Sequence, residues 1–190
     1  MFNDRAIQNL YEIIGGEKIM SPSPAKNHAY IMNNIFFNIQ SYLKGKKFGR
    51  VFTDNMDVHL PDGNIFRPDL FVVCDRKTLK QGRTVYCVPD FAVEILSHSS
   101  KKMDVTTKKD IYEKNGVKEY WIVNPWEKSV TVYILRDGKF KLDEEYMIYP
   151  EEELSEMDEG EKAAIKTDIK LSIFDDLTIS IDDIFFDIED

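Results

Sequence analysis

The sequence has few of the features that mark secreted, membrane-bound or disulfide-stabilised proteins. Its two cysteines, Cys74 and Cys87, lie far apart and show neither a Cys-x-x-Cys nor a Cys/His ligand spacing. Reduced thiols are therefore expected, and a structural zinc site is not. No stretch approaches the ~20 apolar residues of a membrane span, and the N-terminus lacks the basic-then-apolar order of a signal peptide. We expect a cytoplasmic protein that does not enter a membrane.

Several enzyme classes are also without support. The sequence contains no P-loop, no dinucleotide-binding glycine motif, and no nucleophilic Ser or Cys with a paired histidine.

The 190 residues are 43% hydrophobic, which suits one compact domain and leaves little room for a second. We predict a single domain over 1–190, with a core at about 11–146. An acidic, partly mobile segment at about 150–168 and a C-terminal segment at 169–190 that packs back on the core complete it.

Charge is distributed unevenly along the chain. The net charge is −9, but residues 143–190 hold 18 Asp and Glu against 3 Lys, whereas residues 1–142 carry a net charge of +6. The body is thus mildly basic and the tail strongly acidic. The tail is interpreted either as a solvated flank or as a cover that competes with phosphates for a basic groove.

Hydrophobic periodicity predicts a mixed α/β (α+β) fold. Strands, a helix and a further strand in succession favour a central mixed β-sheet with a helix on at least one face, joined by β-hairpins. The predicted elements are a short helix at 4–11, a hairpin turning at Gly15–Gly16, a helix over about 24–43, strands at 48–53 and 56–60, a turn at 61–64, a strand after Pro68, an irregular linker at 75–86, a strand at 91–96, a helix over about 105–115, a strand at 119–123, and a hairpin around Asp137–Gly138.

One carboxylate interrupts the apolar strand FAVEIL at residues 91–96. Burying Glu94 without a partner would cost several kcal/mol or more, so the fold should supply a cation or donors. A second acid, Asp69, follows Pro68 at the start of the apolar run LFVVC. If both acids point into one cleft, they would repel each other unless a cation lay between them. Hard oxygen ligands of this kind suit Mg²⁺ or Mn²⁺.

The helix predicted after FAVEIL adds a basic group. Asp104, Lys108 and Tyr112 follow at four-residue spacing, which stacks them on one helical face. If this face looks at the strand ends, Lys108 brings an ammonium to a scissile phosphate. A metal-activated water would then attack phosphorus in line, while the metal and Lys108 offset the developing charge.

These residues resemble a known family. Pro68-Asp69 followed by Glu94-Ile95-Leu96 is similar to the PD-(D/E)xK nuclease signature, and the stretch from VEILSHSS to EYWIVNP resembles the Uma2 family of restriction-type endonucleases. The resemblance runs from the GGEKIMSPSP hairpin to about Tyr146 and is strongest over 65–125. Two positions depart from the pattern: Leu96 stands where the signature has lysine, and His98 stands where family members typically have proline.

The resemblance implies a restriction-endonuclease-like fold and a metal-dependent endonuclease acting on DNA. It implies Mg²⁺ or Mn²⁺ held by Asp69, Glu94 and the backbone carbonyl of Ile95, with Lys108 as the catalytic lysine. Nucleases of this fold often act in pairs, so a homodimer is expected by analogy. Three further residues are candidates for accessory roles: His28, Glu17 and Tyr112. Glu12 flanks the same hairpin as Glu17.

Alternatives stay open at this point. Glu94 could belong to an edge strand and reach water, Asp69 could cap a turn, and Lys108 could form a solvated surface pair with Asp104. At the level of function, the fold could be a catalytically inactive module that binds nucleic acid or protein. A third hypothesis makes the two acids the acid and base of a glycoside hydrolase, which requires carboxyl groups ~5 to 9.5 Å apart in an open cleft.

Overall fold

The described residues form three β-sheets of six, five and two strands, and the six-stranded central sheet positions the predicted acids. The computed structural model describes residues 11–20, 26–54, 56–79, 84–97 and 104–188. The predicted helix at 4–11 therefore lies outside the described residues except for Tyr11, which begins a strand, and His98 lies outside them as well.

The strands in chain order are β1 (Tyr11–Ile14), β2 (Glu17–Met20), β3 (Arg50–Thr53), β4 (Asp57–His59), β5 (Ile65–Phe66), β6 (Leu70–Val73), β7 (Thr84–Val85), β8 (Phe91–Ile95), β9 (Glu119–Asn124), β10 (Ser129–Arg136), β11 (Lys139–Met147), β12 (Asp168–Lys170) and β13 (Thr178–Ser180). The α-helices are α1 (Lys26–Leu43), α2 (Lys109–Asn115), α3 (Glu151–Glu156), α4 (Glu159–Ala164) and α5 (Ile181–Ile184), with a 3₁₀ turn at Arg76–Thr78 and a π-helical turn at Asp104–Lys108 directly before α2.

The central sheet has the strand order β11-β10-β9-β8-β6-β3. Strands β8 and β9 run parallel and the other neighbours run antiparallel, so the sheet is mixed as predicted. Every residue of β6, β8 and β9 is buried, which explains why these strands are nearly continuous apolar runs. The fold is mixed α+β, as the sequence predicted.

One face of the central sheet packs against α1 and the C-terminal segment. Helix α1 buries a stripe at helical spacing, formed by Ile31, Ile35, Ile39 and Leu43. The same core takes apolar side chains from beyond residue 168, namely Ile169, Leu171, Phe174, Leu177, Ile179, Ile181, Ile184 and Phe185. The acidic chain end is therefore anchored to the body by alternating apolar residues.

The other face packs against α2 and a second sheet, whose order is β2-β1-β5-β4-β7.

The structure has the two hairpin turns that the sequence predicted. Gly15 and Gly16 both have positive φ in the β1–β2 turn, and Asp137 with Gly138 does the same between β10 and β11, as two-residue hairpin turns require.

Some elements differ from the sequence prediction. The predicted strands at 48–53 and 56–60 exist as β3 and β4, but they belong to different sheets. The linker at 75–86 contains β7, and β5 lies between the predicted turn and the strand after Pro68. The segment at 150–168 contains the short helices α3 and α4, the second begun by a capping box between Asp158 and Glu161. No helix of the described residues is long and apolar enough to cross a membrane.

Candidate functional site

The site is centred on Glu94, the fourth residue of β8. Only 2% of its surface is exposed. Alternation along β8 turns Val93 and Ile95 toward the core that contains α1, and Ala92 and Leu96 toward the core that contains α2. Glu94 therefore points to the α2 face of the sheet. A carboxylate buried this deeply requires a cation or hydrogen-bond donors beside it.

Lys108 and Tyr112 meet that requirement from the helix that follows β8. Lys108 ends the π-helical turn, Tyr112 lies four residues later in α2, and both are buried. Nζ of Lys108 lies 3.0 Å from Oε2 of Glu94, and the Tyr112 hydroxyl donates to Oε1 at 2.8 Å. Two residues of the predicted helical face, Lys108 and Tyr112, therefore meet at one carboxylate. Lys108 is not the solvated surface residue of the alternative interpretation, and Glu94 does not reach water.

A third acid, Glu12, approaches the same ammonium from β1. Its Oε1 lies 3.2 Å from Nζ of Lys108 and accepts the backbone N–H of Arg67 at 2.9 Å. Glu12 is buried, with 5% of its surface exposed. Two acidic side chains therefore share one ammonium within a buried group.

Asp69 lies just before β6, the antiparallel neighbour of β8. Continuing the register of this pair by one residue places Asp69 opposite Glu94. Oδ2 of Asp69 accepts the N–H of Ile95 at 2.6 Å and lies 3.1 Å from Nε2 of His28 on α1. The Asp69 side chain keeps 18% of its surface exposed, so this carboxylate is open to solvent.

Further charges surround Asp69. Asp54 follows β3, and burial together with the negative charge of Asp69 raises its pKa, while His28 and Arg67 act in the opposite direction. Arg67 in turn binds Oδ1 of Asp57 through Nε at 3.1 Å and through Nη2 at 2.5 Å. Burial is the main cause of the raised pKa of Asp54, and the nearby charge of Asp69 adds to it.

Tyr112 is fixed as a hydrogen-bond donor. Complete burial raises its pKa well above the usual value of 10, and the negative charges of Glu94 and Glu12 raise it further. The phenol therefore keeps its proton at neutral pH and orients the Glu94 carboxylate.

The donor set suits Mg²⁺ or Mn²⁺. Asp69 and Glu94 provide hard oxygen ligands from opposite positions on neighbouring strands, beside the additional acid Glu12. Among the described residues, no group of three or more His, Cys, Asp or Glu side chains is arranged to hold a metal ion alone. Mg²⁺ is usually bound through one or two carboxylates and completes its shell with water and substrate phosphate.

The structure places most of the predicted site residues in two adjoining groups of contacts: Glu94 with Lys108 and Tyr112, and Asp69 with His28 and the N–H of Ile95. It does not gather Glu17, which is exposed and pairs with Ile14 beside the hairpin turn. Glu12 lies two residues farther from the turn than Ile14 and is the hairpin acid that reaches the site. Glu12 and Ile14 share the buried face of β1, but this burial results from the docking of the hairpin and gives no signal in the sequence.

Comparisons with known proteins identify the family of the chain and confirm the predicted restriction-endonuclease-like fold. A family model described as "Uma2: Putative restriction endonuclease" matches residues 6–164. A solved structure, described as a putative nuclease belonging to DUF820 from Anabaena variabilis ATCC 29413, superposes with a TM-score of 0.67 and 21% sequence identity. The match covers 93% of this chain and 90% of that one, and at this identity it supports the fold alone. A search of curated proteins finds no match.

Proposed function

Because the chain belongs to the Uma2 family, we propose that it is a metal-dependent endonuclease that hydrolyses phosphodiester bonds of DNA. The observation that carries the proposal is the buried ammonium of Lys108, held between Glu94 and Glu12 beside the solvent-open Asp69. Buried ion pairs of this kind are often no more stable than apolar replacements of the same volume. Their presence at the end of two neighbouring strands therefore supports a chemical role.

The proposed metal ligands are Asp69, Glu94 and the backbone carbonyl of Ile95. A bound Mg²⁺ or Mn²⁺ would neutralise charge on the phosphate and acidify a water for attack on phosphorus. The chain orients both carboxylates in advance. The N–H of Ile95 and Nε2 of His28 hold Asp69, while the phenol of Tyr112 holds Glu94.

Lys108 is proposed to stabilise the negative charge that develops on the phosphate oxygens. Its position also accounts for the departure at Leu96. Leu96 is buried in the core that contains α2, so no lysine is available two residues after Glu94. Lys108 supplies the ammonium to Glu94 from the helix instead, at 3.0 Å. The site therefore has the same set of charges with its lysine on another element.

The test is cleavage of supercoiled plasmid by purified protein with Mg²⁺ or Mn²⁺, compared with EDTA. We expect metal-dependent nicking or linearisation that Glu94→Gln reduces by ~10²-fold or more, since it removes charge at the reacting centre. Glu119→Gln is the matched control, because Glu119 is a buried carboxylate of the same sheet that lies outside the site. Cleavage that persists in EDTA, or in Glu94→Gln at the wild-type rate, would overturn the proposal.

The same assay tests the second candidate function, an inactive nuclease-fold module. The acidity of the chain, with a net charge of −9, favours that candidate. It predicts no metal-dependent cleavage by the wild type, together with retained binding of DNA or protein.

A further inference from the structure

Glu12 lies outside the proposed metal ligands but is fixed to the site by two contacts. Its Oε1 lies 3.2 Å from Nζ of Lys108 and accepts the N–H of Arg67 at 2.9 Å. Strand β1 pairs with β5 at Ile13 and Ile65, and β5 leads directly into the segment that carries Arg67 and then Asp69. The position of this carboxylate is therefore determined by the backbone that delivers Asp69.

The surroundings of Lys108 leave its ammonium dependent on carboxylates. Lys108 is buried, and the ring of Phe66 lies on one side of it, with Nζ 5.9 Å from the ring centroid. Phe66 packs edge-on against Tyr112, at 5.0 Å between ring centroids, so this side is apolar. An ammonium in such a place is stabilised mainly by anions in contact with it.

Glu12 and Glu94 are the carboxylates that the described residues place in contact with Lys108, and Glu94 is also a proposed metal ligand. A carboxylate that coordinates a divalent cation shares its charge with that cation and attracts an ammonium less strongly. Oε1 of Glu12 contacts the ammonium and also accepts the Arg67 N–H, which fixes its position independently of Glu94. Glu12 can therefore continue to hold Lys108 when Glu94 serves the metal.

We propose that Glu12 is a positioning residue, which holds the Lys108 ammonium at the reacting phosphate while Glu94 serves the metal. This inference rests on the proposed function and adds to the same site a residue from the N-terminal hairpin. It predicts that Glu12 acts on the reaction only through Lys108.

The experiment is a double-mutant cycle in the full-length protein, with Glu12→Gln, Lys108→Met and the double variant. Glutamine at position 12 keeps an oxygen for the Arg67 N–H but loses the charge. Steady-state plasmid nicking with Mg²⁺ should show kcat lowered by about 10- to 100-fold in Glu12→Gln, with KM unchanged. In the Lys108→Met background, the same change should have no further effect on the slow residual rate. Glu17→Gln, on the exposed glutamate of the same hairpin, should leave kcat unchanged.

A second measurement does not depend on activity. In EDTA, Glu12→Gln and Lys108→Met should each lower the melting temperature, and the double variant should lose less than the sum of the two shifts, because the partners are in contact. If Glu12→Gln does not fold, Glu12→Asp replaces it. Aspartate keeps the charge but its shorter side chain withdraws it from Lys108, so kcat should fall there as well.

The outcomes separate this inference from the proposed function. A wild type without metal-dependent cleavage rejects the proposed function itself. An active wild type whose Glu12→Gln variant keeps the wild-type kcat rejects only the positioning role. The role is also rejected if Glu12→Gln lowers the rate by the same factor with and without Lys108, because Glu12 would then act independently of the ammonium.

Discussion

Lys108 lies 3.0 Å from Glu94, and neither side chain exposes more than 5% of its surface. The two residues come from consecutive elements, β8 and the helical segment after it, so the fold itself produces the contact. Removing either partner would leave the other charge buried with less compensation. The stability of this region and its proposed chemistry therefore depend on the same few atoms.

Lys108→Met should destabilise the protein in the absence of divalent ions. Two buried carboxylates lose their shared ammonium, and breaking a buried pair of this kind costs about 3–5 kcal/mol. Urea unfolding in EDTA measures the change. Lys109→Met is the matched control: the Lys109 ammonium lies 4.2 Å from the ring centroid of Tyr133, a contact of about 0.5–1 kcal/mol. Equal stability of the Lys108 and Lys109 variants would contradict the burial of the pair.

Divalent ions should stabilise the wild type against heat. A ligand that binds only the folded chain adds about 2.7 kcal/mol at one hundred times its Kd, so Mg²⁺ or Mn²⁺ should raise the melting temperature over that in EDTA. Asp69→Asn removes a proposed ligand and should abolish most of this gain. Asp143→Asn, which disrupts a pair with Arg136 on the distant β10–β11 hairpin, should preserve it. Differential scanning calorimetry distinguishes the two variants.

Tyr112→Phe should cost stability at neutral pH but progressively less in alkali. The lost hydroxyl leaves Oε1 of Glu94 without its 2.8 Å donor, a loss of about 1–3 kcal/mol. Because the folded-state pKa of Tyr112 is raised well above 10, the unfolded chain loses this phenolic proton first as the pH rises. The contribution of the wild-type phenol is complete below pH 10 and declines above it.

Urea unfolding of the wild type and Tyr112→Phe, at neutral pH and above pH 10, tests this sign. The difference in unfolding free energy between the two proteins should narrow in alkali. A difference that stays constant would mean that the phenol ionises equally in both states.

Glu119→Gln should weaken the fold without affecting the site. The Glu119 carboxylate accepts three bonds of 2.6 Å, from Nε1 of Trp121 and from the N–H and hydroxyl of Ser172. Glutamine offers one acceptor oxygen, so at least one buried donor loses its partner, at about 1–3 kcal/mol. Thermal unfolding should show the loss, while plasmid cleavage per folded molecule at low temperature should match the wild type. A fall in specific cleavage would show that the C-terminal segment contributes to the site.

Elements with strong local signals could be predicted from the sequence. The apolar stripe of α1 and the turn residues Gly15–Gly16 and Asp137–Gly138 act within a few neighbouring residues, and the structure places those elements close to their predicted bounds. Strands β5 and β7 have two residues each, too few to show a period. Their existence depends on pairing with β4 and β1, which is a property of the folded chain.

The residues of the candidate site also divide into those that the sequence could predict and those that it could not. Four-residue spacing placed Lys108 and Tyr112 on one face, and strand order placed Asp69 beside Glu94, so these four could be grouped in advance. Glu12 could not be chosen over Glu17 because both flank one turn, and only the docking of the hairpin on the rest of the fold distinguishes them. Asp54 gave no signal, since an acid after a short strand is typical of an ordinary turn.

The charged groups of the site are drawn from places in the chain as far apart as Glu12 and Lys108. A ribosome adds residues one at a time, so a growing polypeptide exposes its first acids long before the lysine that neutralises them has been synthesised. If the protein has the proposed function, a nascent chain cannot cleave nucleic acid until the segment through Tyr112 has emerged and folded. Cutting would be a property of the finished molecule, and proteolytic fragments that separate the hairpin from α2 would be inert.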